Sequence, residues 1–476
     1  MLMQQTNIVN KLWGFCHILR HDGIDYGDYV EQLTYLLFLK MAEEKGATIP
    51  KEYSWAVLKS KSGSDLTDHY AEVLRGLSKQ EGILGDIFAE ALSKFTKPVN
   101  LKKLIDLIDE IEWTGLDVDV KAEAYEGLLE KAASEGKKGA GQYFTPRILI
   151  QSIVRCVKPD PRADGDFKIT DPAAGTGGFL VAAYEWLMKQ SKEALERDIE
   201  DKVTKQTYYG TELVARPRRL ALMNLFLHGI QGNIELGDSI YTQPNHTSYF
   251  DVVLTNPPFG TKGANQAPER DDFTVSTSNK QLNFVQHILT ILKPGGRAAV
   301  VLPDNVLFAD QAGEVFKILM QDCNLHTILR LPRGTFTPYS QGVKANVIFF
   351  TKGISTDKTW IYDARTNVPG ITKKDRPLTP KHFEEFEKCF GDNPNGNSPR
   401  KESDSTQGRW KVFLVEQVKE NHYKLDSFKW IRDEDLDDPE NLPEPEELLT
   451  DALSELKEAT LGLEKIAKEL ENGNGH

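Results

Sequence analysis

A strand-like run, Phe167-Lys168-Ile169-Thr170-Asp171, turns through Pro172-Ala173-Ala174-Gly175-Thr176-Gly177-Gly178 into an apolar helical stretch from Val181 to Met188. A strand, a small-residue turn and a helix open a parallel α/β sheet, so this segment constrains the fold more than any other. Small residues let a ligand approach the backbone, and the helix start offers free N–H groups. Three ligand types use such turns, and the spelling separates them. A phosphate loop needs Gly-Lys-Ser/Thr, which is absent. A dinucleotide fingerprint wants Gly or Ala at its sixth position, where this chain has Leu180. S-adenosylmethionine, which carries no phosphate, remains, beside the plain alternative of a structural turn.

Acids follow at the ends of the next strand-like runs. Gln206 to Glu212 ends in Glu212, placed as a ribose-hydroxyl acceptor would be. Asn233 to Gly237 ends at Asp238-Ser239, with Asp238 placed to accept from an adenine amine. A further run, Phe250-Asp251-Val252-Val253-Leu254-Thr255, leads into Asn256-Pro257-Pro258-Phe259. That tetrapeptide sets a carboxamide, a backbone carbonyl and a flat ring at one point. The Asn256 side-chain oxygen and the Pro257 carbonyl can each accept from an exocyclic –NH₂, and Phe259 can stack on the base. Pro257 and Pro258 stiffen the loop. A Pro-rich turn with solvated acids nearby is the plainer reading of each piece; successive strand tips favour one shared pocket.

Strands alternate with helices between residues 136 and 365, which predicts an α/β domain with a parallel sheet covered on both faces. Arg297 to Leu302 reads as a buried strand after a helix from Gln281 to Leu292 and the turn Lys293-Pro294-Gly295-Gly296. Leu325 to Leu331 and Ala345 to Thr351 read as a last, antiparallel pair, the loop between them being too short for a crossover helix. Residues 1–135 read as an N-terminal helical domain, with Tyr29 to Met41 apolar on a broad face and Leu101 to Ile108 repeating at helical spacing. A Gly-rich linker, Ser134 to Gly141, joins the two. Residues 366–476 read as a C-terminal extension: a solvated loop from Gly391 to Gly408, then a helical tail. Its seam, Leu449, Leu453, Leu456, Thr460, Leu463, Ala467 and Leu470, suits docking onto a partner's helices.

The net charge of −13 is unexpected for a chain that grips DNA alone, since phosphate neutralisation supplies much of that affinity. Small basic patches occur at Lys137-Lys138, at Arg147 and at Arg216-Pro217-Arg218-Arg219. The four Cys are scattered and the ten His form no ligand-like cluster, so no metal site is expected. No apolar run is long enough to span a bilayer and no secretory leader is evident, which predicts a cytoplasmic protein without membrane contacts.

Gly139-Ala140-Gly141-Gln142-Tyr143-Phe144-Thr145-Pro146-Arg147, Asp171 to Phe179, and Asn256 to Phe259, in that order, resemble the modification subunit of type I restriction–modification systems, an N6-adenine DNA methyltransferase. The likeness extends over most of the chain, from Trp13 to Met41 through Gly295 to Pro303. It implies a Rossmann-like S-adenosylmethionine-dependent fold with helical N-terminal domain and tail. It also implies a cofactor site built from Gln142, Tyr143, Phe144, Thr145, Pro146, Arg147, Asp171, Ala173, Gly175, Thr176, Gly177, Gly178, Glu212, Asp238 and Ser239. Asn256, Pro257, Pro258 and Phe259 would be the catalytic group, acting on an adenine flipped out of duplex DNA. The implied partners are double-stranded DNA, a separate specificity subunit that reads the sequence, a second copy of this chain, and in some systems a restriction subunit. Two alternatives stay open on the motifs: methylation of RNA or of protein glutamine, and a silent scaffold on DNA.

Overall fold

The computed structural model describes residues 14, 23, 26–44, 49–111, 127, 145–162, 166–191, 197–259, 266–337, 343–373, 375–403, 408–425, 428 and 430–431. Gln142, Tyr143, Phe144, the Ser134–Gly141 linker and the heptad tail lie outside them. The chain divides into two compact units, 1–300 and 301–476.

The first unit begins with helices. Helix α1 (Tyr26–Glu44) is buried from Tyr29 to Leu39, so its broad apolar face extends nearly all round. Gln32, enclosed with it, donates to the Leu92 carbonyl and accepts from the Tyr70 hydroxyl, which makes its burial tolerable. Helices α2 (Trp55–Ser60), α3 (Gly63–Leu77), α4 (Ile83–Phe88) and α5 (Pro98–Asp109) complete the cluster. On α5, Leu101, Leu104, Ile105 and Ile108 are the buried stripe.

After helix α6 (Arg147–Val157) the α/β layer starts. Strand β1 (Ile169–Asp171) leads to α7 (Gly178–Gln190), then α8 (Arg197–Gln206), β2 (Tyr208–Glu212), α9 (Ala215–Leu227), β3 (Asn233–Leu236) and β4 (Phe250–Thr255). Helix α10 (Lys280–Ile291) runs into β5 (Leu292–Pro303). The strand order is β3-β2-β1-β4-β5, every neighbouring pair parallel. Chain order reverses between β1 and β4, and in such sheets the crevice beyond the carboxyl ends at that point is the ligand site. The residues Lys293 to Gly296 are an irregular start to β5, with a register shift opposite Phe250 to Val252.

The sequence reading took Arg216 to Arg219 as a basic patch. The structure corrects this. Arg216 pairs with Asp28 and Glu31, and Arg218 with Asp86 at 2.8 Å. Arg219, 5% exposed, pairs with Glu31 and donates to the Ile87 and Ala89 carbonyls. These guanidinium groups fasten α9 to the helical cluster, Arg219 within it and Arg216 still partly exposed at its edge.

In the second unit, α11 (Ala312–Asp322) precedes β6 (Cys323–Arg330) and β7 (Ala345–Lys352), which pair antiparallel as expected. Two strands were not foreseen. Strand β8 (Lys358–Asp363) pairs parallel to β6, and β9 (Trp410–Leu414) antiparallel to β8. Between them lies helix α12 (Lys381–Phe390), and α13 (Val415–Glu420) follows β9. The stretch after α12 is docked as well as solvated. Arg400 donates to the Phe390 and His326 carbonyls and to Thr327 Oγ1, and a Cβ at Gly396 would meet the His326 ring at 2.2 Å.

Candidate active site

A cavity of about 430 Å³ opens at the carboxyl ends of β1, β2, β3 and β4. The turn after β1 forms its floor. Gly177 takes φ +78°, which only glycine adopts freely, and starts α7 at once. A Cβ on Gly178 would meet Ile150 Cδ1 at 3.1 Å, so its absence lets α7 lie close to α6. Asn224 of α9 holds the turn from below, its Nδ2 donating to the Thr176 carbonyl at 3.1 Å.

Three carboxylates stand at successive strand tips. Asp171 is 2% exposed, and burial pushes its carboxyl up to about 7, against the pull of the Ala173 N–H at 3.0 Å. Glu212, 6% exposed, is also raised by burial although backbone N–H groups hold it. Its Oε2 accepts from Gly175 N and its Oε1 from Val214 N, each at 2.9 Å. Glu212 therefore ties the tip of β2 to the glycine turn. Asp238 Oδ1 accepts from the backbone of Ile240 and Tyr241 at 2.8 and 2.9 Å, and Ser239 Oγ donates to the Pro172 carbonyl at 2.6 Å.

At the end of β4, Asn256 Nδ2 donates to Thr145 Oγ1 at 2.9 Å. That donation leaves Asn256 Oδ1 as a buried acceptor with no hydrogen-bond partner among the described residues. An unpaired buried acceptor costs about 1–3 kcal/mol, and at a cavity wall an amine-bearing ligand can satisfy it. Two residues on, the Pro258 carbonyl accepts from Gln281 Nε2 at 2.5 Å.

Of the residues singled out from sequence, Thr145, Arg147, Asp171, Ala173, Gly175, Thr176, Gly178, Glu212, Asp238, Ser239, Asn256 and Pro258 line this cavity. Pro146, Gly177, Pro257 and Phe259 are chain neighbours of the wall rather than part of it. Pro146 precedes the first turn of α6, and Gly177 acts through its backbone. Sequence reading missed Glu185, Asn224 and Lys280, which also face the space. Glu185 pairs with Arg147 and lies 3.5 Å from His228 Nε2; burial pushes its carboxyl up, but these two neighbours together hold it below the usual range. A polar Asn224 inside the apolar run Leu220 to Leu227 was the available signal.

Acceptor groups at three strand tips, a floor without a phosphate-loop lysine, and two buried carboxamide oxygens without a partner among the described residues, Asn256 Oδ1 and Asn224 Oδ1, suit a cationic, amine- and hydroxyl-bearing cofactor beside an amine substrate. Comparison with known proteins gives the same class. The family described as N-6 DNA Methylase matches residues 116–438, and the HsdM N-terminal domain matches residues 8–48. The type I restriction enzyme StySPI methylase subunit of Salmonella potsdam is 39% identical over 99% of this chain and 97% of its own. The EcoKI methylase subunit of Escherichia coli K12 is 39% identical over 98% and 96%. A solved structure concerned with complex assembly and conformational transition of the type I restriction–modification system shares 28% identity, covers 98% of this chain and 99% of the other, and gives a TM-score of 0.72. The chain belongs to the N-6 DNA methylase family, among the methylase subunits of type I restriction enzymes.

Proposed function

We propose that this chain binds S-adenosylmethionine in the strand-tip cavity and methylates the exocyclic amine of an adenine flipped out of duplex DNA. The observation that carries the reading is the buried, unpartnered Oδ1 of Asn256 at the cavity wall, with Nδ2 of the same side chain held by Thr145 Oγ1. Bound in the cavity, the cofactor would supply an already activated methyl group, so the protein's task is alignment.

Asn256 Oδ1 and the Pro257 carbonyl accept the two amine hydrogens. This draws the nitrogen lone pair out of the ring and stabilises the positive charge that develops on it. No strong base is needed, because a methylated ammonium is acidic enough to lose its proton to water. Phe259 stacks on the flipped base. Glu212 and Asp238 accept from the cofactor's ribose and adenine, and Asp171 places its charge near a cationic ligand. The family resemblance assigns Gln142, Tyr143, Phe144, Thr145, Pro146 and Arg147 to cofactor binding as well.

The acidic balance supports the further reading that DNA grip and sequence choice come from a partner. That partner is a specificity subunit shared by two copies of this chain in the cytoplasm, joined in restricting systems by a nuclease subunit. The tail beyond residue 446 is the segment proposed to dock. The test is mass spectrometry of methylated product from the chain assembled with its specificity partner, with DNA, RNA and glutamine peptide offered in parallel. N6-methyladenine in DNA is expected; label confined to RNA or peptide would overturn the assignment.

A further inference from the structure

Helix α10 buries an unusual number of polar side chains: Gln281, Asn283, Gln286 and His287 are each at most 5% exposed. Such burial is costly unless every group is bonded. Here most of the bonds pin the segment just before the helix. Asn283 Nδ2 donates to the Thr277 carbonyl at 2.8 Å. Gln286 accepts from Val275 N at 2.8 Å and donates to Val275 O at 2.9 Å. His287 Nδ1 lies 3.2 Å from the Arg270 guanidinium, which itself holds the Ser239 carbonyl at 2.6 Å. Asn279 caps the helix by accepting from Leu282 N at 3.1 Å. The first turn of α10 is thereby immobilised from several sides.

Gln281 uses that rigidity differently. Its Nε2 leaves the helix and donates to the Pro258 carbonyl. The ring of Pro258 already fixes φ, so anchoring its carbonyl fixes ψ as well. Those two torsions set the direction of the Pro257 carbonyl on one side and of Phe259 on the other.

We infer that Gln281 is a positioning residue for methyl transfer, holding the Pro257 carbonyl and Phe259 in register with the target amine through its bond to Pro258. The inference rests on the reading of Asn256 to Phe259 given above. It concerns the loop's aim and leaves cofactor binding untouched, because the cofactor-side anchors Glu212, Asn224 and Ser239 do not involve Gln281.

The experiment compares wild type, Gln281→Met and Gln281→Glu, each assembled with the specificity partner, by kcat at saturating S-adenosylmethionine, by cofactor Kd and by pH profile. Gln281→Met removes the donor and keeps the shape; its kcat should fall about tenfold, the worth of one hydrogen bond, with Kd within about twofold. Gln281→Glu cannot donate when ionised but can when protonated, so its rate relative to wild type should rise as pH falls. Wild-type kcat in Gln281→Met, a loss expressed mainly in Kd, or a Gln281→Glu profile parallel to wild type would each overturn the inference. An inactive wild-type assembly would instead count against the methyltransferase reading itself.

Discussion

Asn256 Nδ2 donates to Thr145 Oγ1 at 2.9 Å, joining two loops that lie 111 residues apart in the chain. In this arrangement the hydroxyl accepts, and the carboxamide is held by its nitrogen end. With Thr145 accepting, Nδ2 is occupied and Oδ1 is left for the target amine. Thr145→Val keeps the shape and removes the acceptor, so kcat should fall about tenfold, while Thr145→Ser should stay near wild type. Steady-state rates of the assembled enzyme check this; equal rates for Val and Ser variants would show that the hydroxyl does not hold Asn256 in place.

Glu212 serves the glycine turn before it serves any ligand, since its two oxygens accept from Gly175 and Val214. Hydrogen bonds to a charged group contribute about 1.5–3 kcal/mol each. Glu212→Ala should therefore weaken cofactor binding by more than a single ribose contact would, and Glu212→Gln by a substantial part of that, because the amide nitrogen that replaces one oxygen cannot accept. Much of the rate should return at saturating cofactor. Titration calorimetry of the two variants is the check, and unchanged affinity in both would remove Glu212 from the cofactor site.

Cofactor affinity should depend on pH through Asp171. Burial raises its carboxyl to about 7, so below neutrality the empty site holds a proton there. A cationic ligand favours the ionised form, and binding must then expel that proton. Affinity should rise with pH up to about 7 and level off above it, with the Asp171→Asn variant flatter over that window. The same raised carboxyl favours the protonated fold: its contribution to stability is full below the ordinary aspartate range and is lost as pH climbs to about 7. Calorimetry across pH 5–8 in buffers of different ionisation heat reads the proton release; affinity that falls with rising pH would contradict the assignment.

Arg219 and Glu31 form a buried pair between α9 and the helical cluster. Arg219→Met leaves the Ile87 and Ala89 carbonyls without their donor and the Glu31 carboxylate facing Arg216 at 3.6 Å in place of its closer partner, which should cost about 3 kcal/mol. Adding Glu31→Gln should restore part of it. Urea unfolding of the single and double variants measures both, and additive losses would mean the pair is not coupled.

The catalytic half of the fold was readable because its strands are short apolar runs that end in polar residues, and β4 from Phe250 to Thr255 has the span the pattern indicates. Strands β8 and β9 were not, because nothing local marks Lys358 to Asp363 as a partner of β6. Composition along the chain shows charges but not their partners. Arg216 and Arg219 read as free cations because Asp28 and Glu31 lie 188 residues away. The strand-tip acids were legible as ligand groups, whereas the anchoring of Glu212 to Gly175 depends on turn geometry that no spacing reveals. Asn224 was hidden within the apolar run Leu220 to Leu227, where one polar residue resembles a tolerated exception, and Gln281 among several polar residues of α10, none of which stands out by spacing.

The account turns on Asn256 acting on the target amine and not on the cofactor. The most direct measurement is Asn256→Ala in the assembled complex, read by methyl transfer to DNA and, in parallel, by cofactor calorimetry. Methylation should be abolished while cofactor Kd stays within a few fold, because the carboxamide's free oxygen is reserved for the base. Residual methylation near the wild-type rate, or a defect expressed chiefly as lost cofactor affinity, would contradict the role assigned to Asn256.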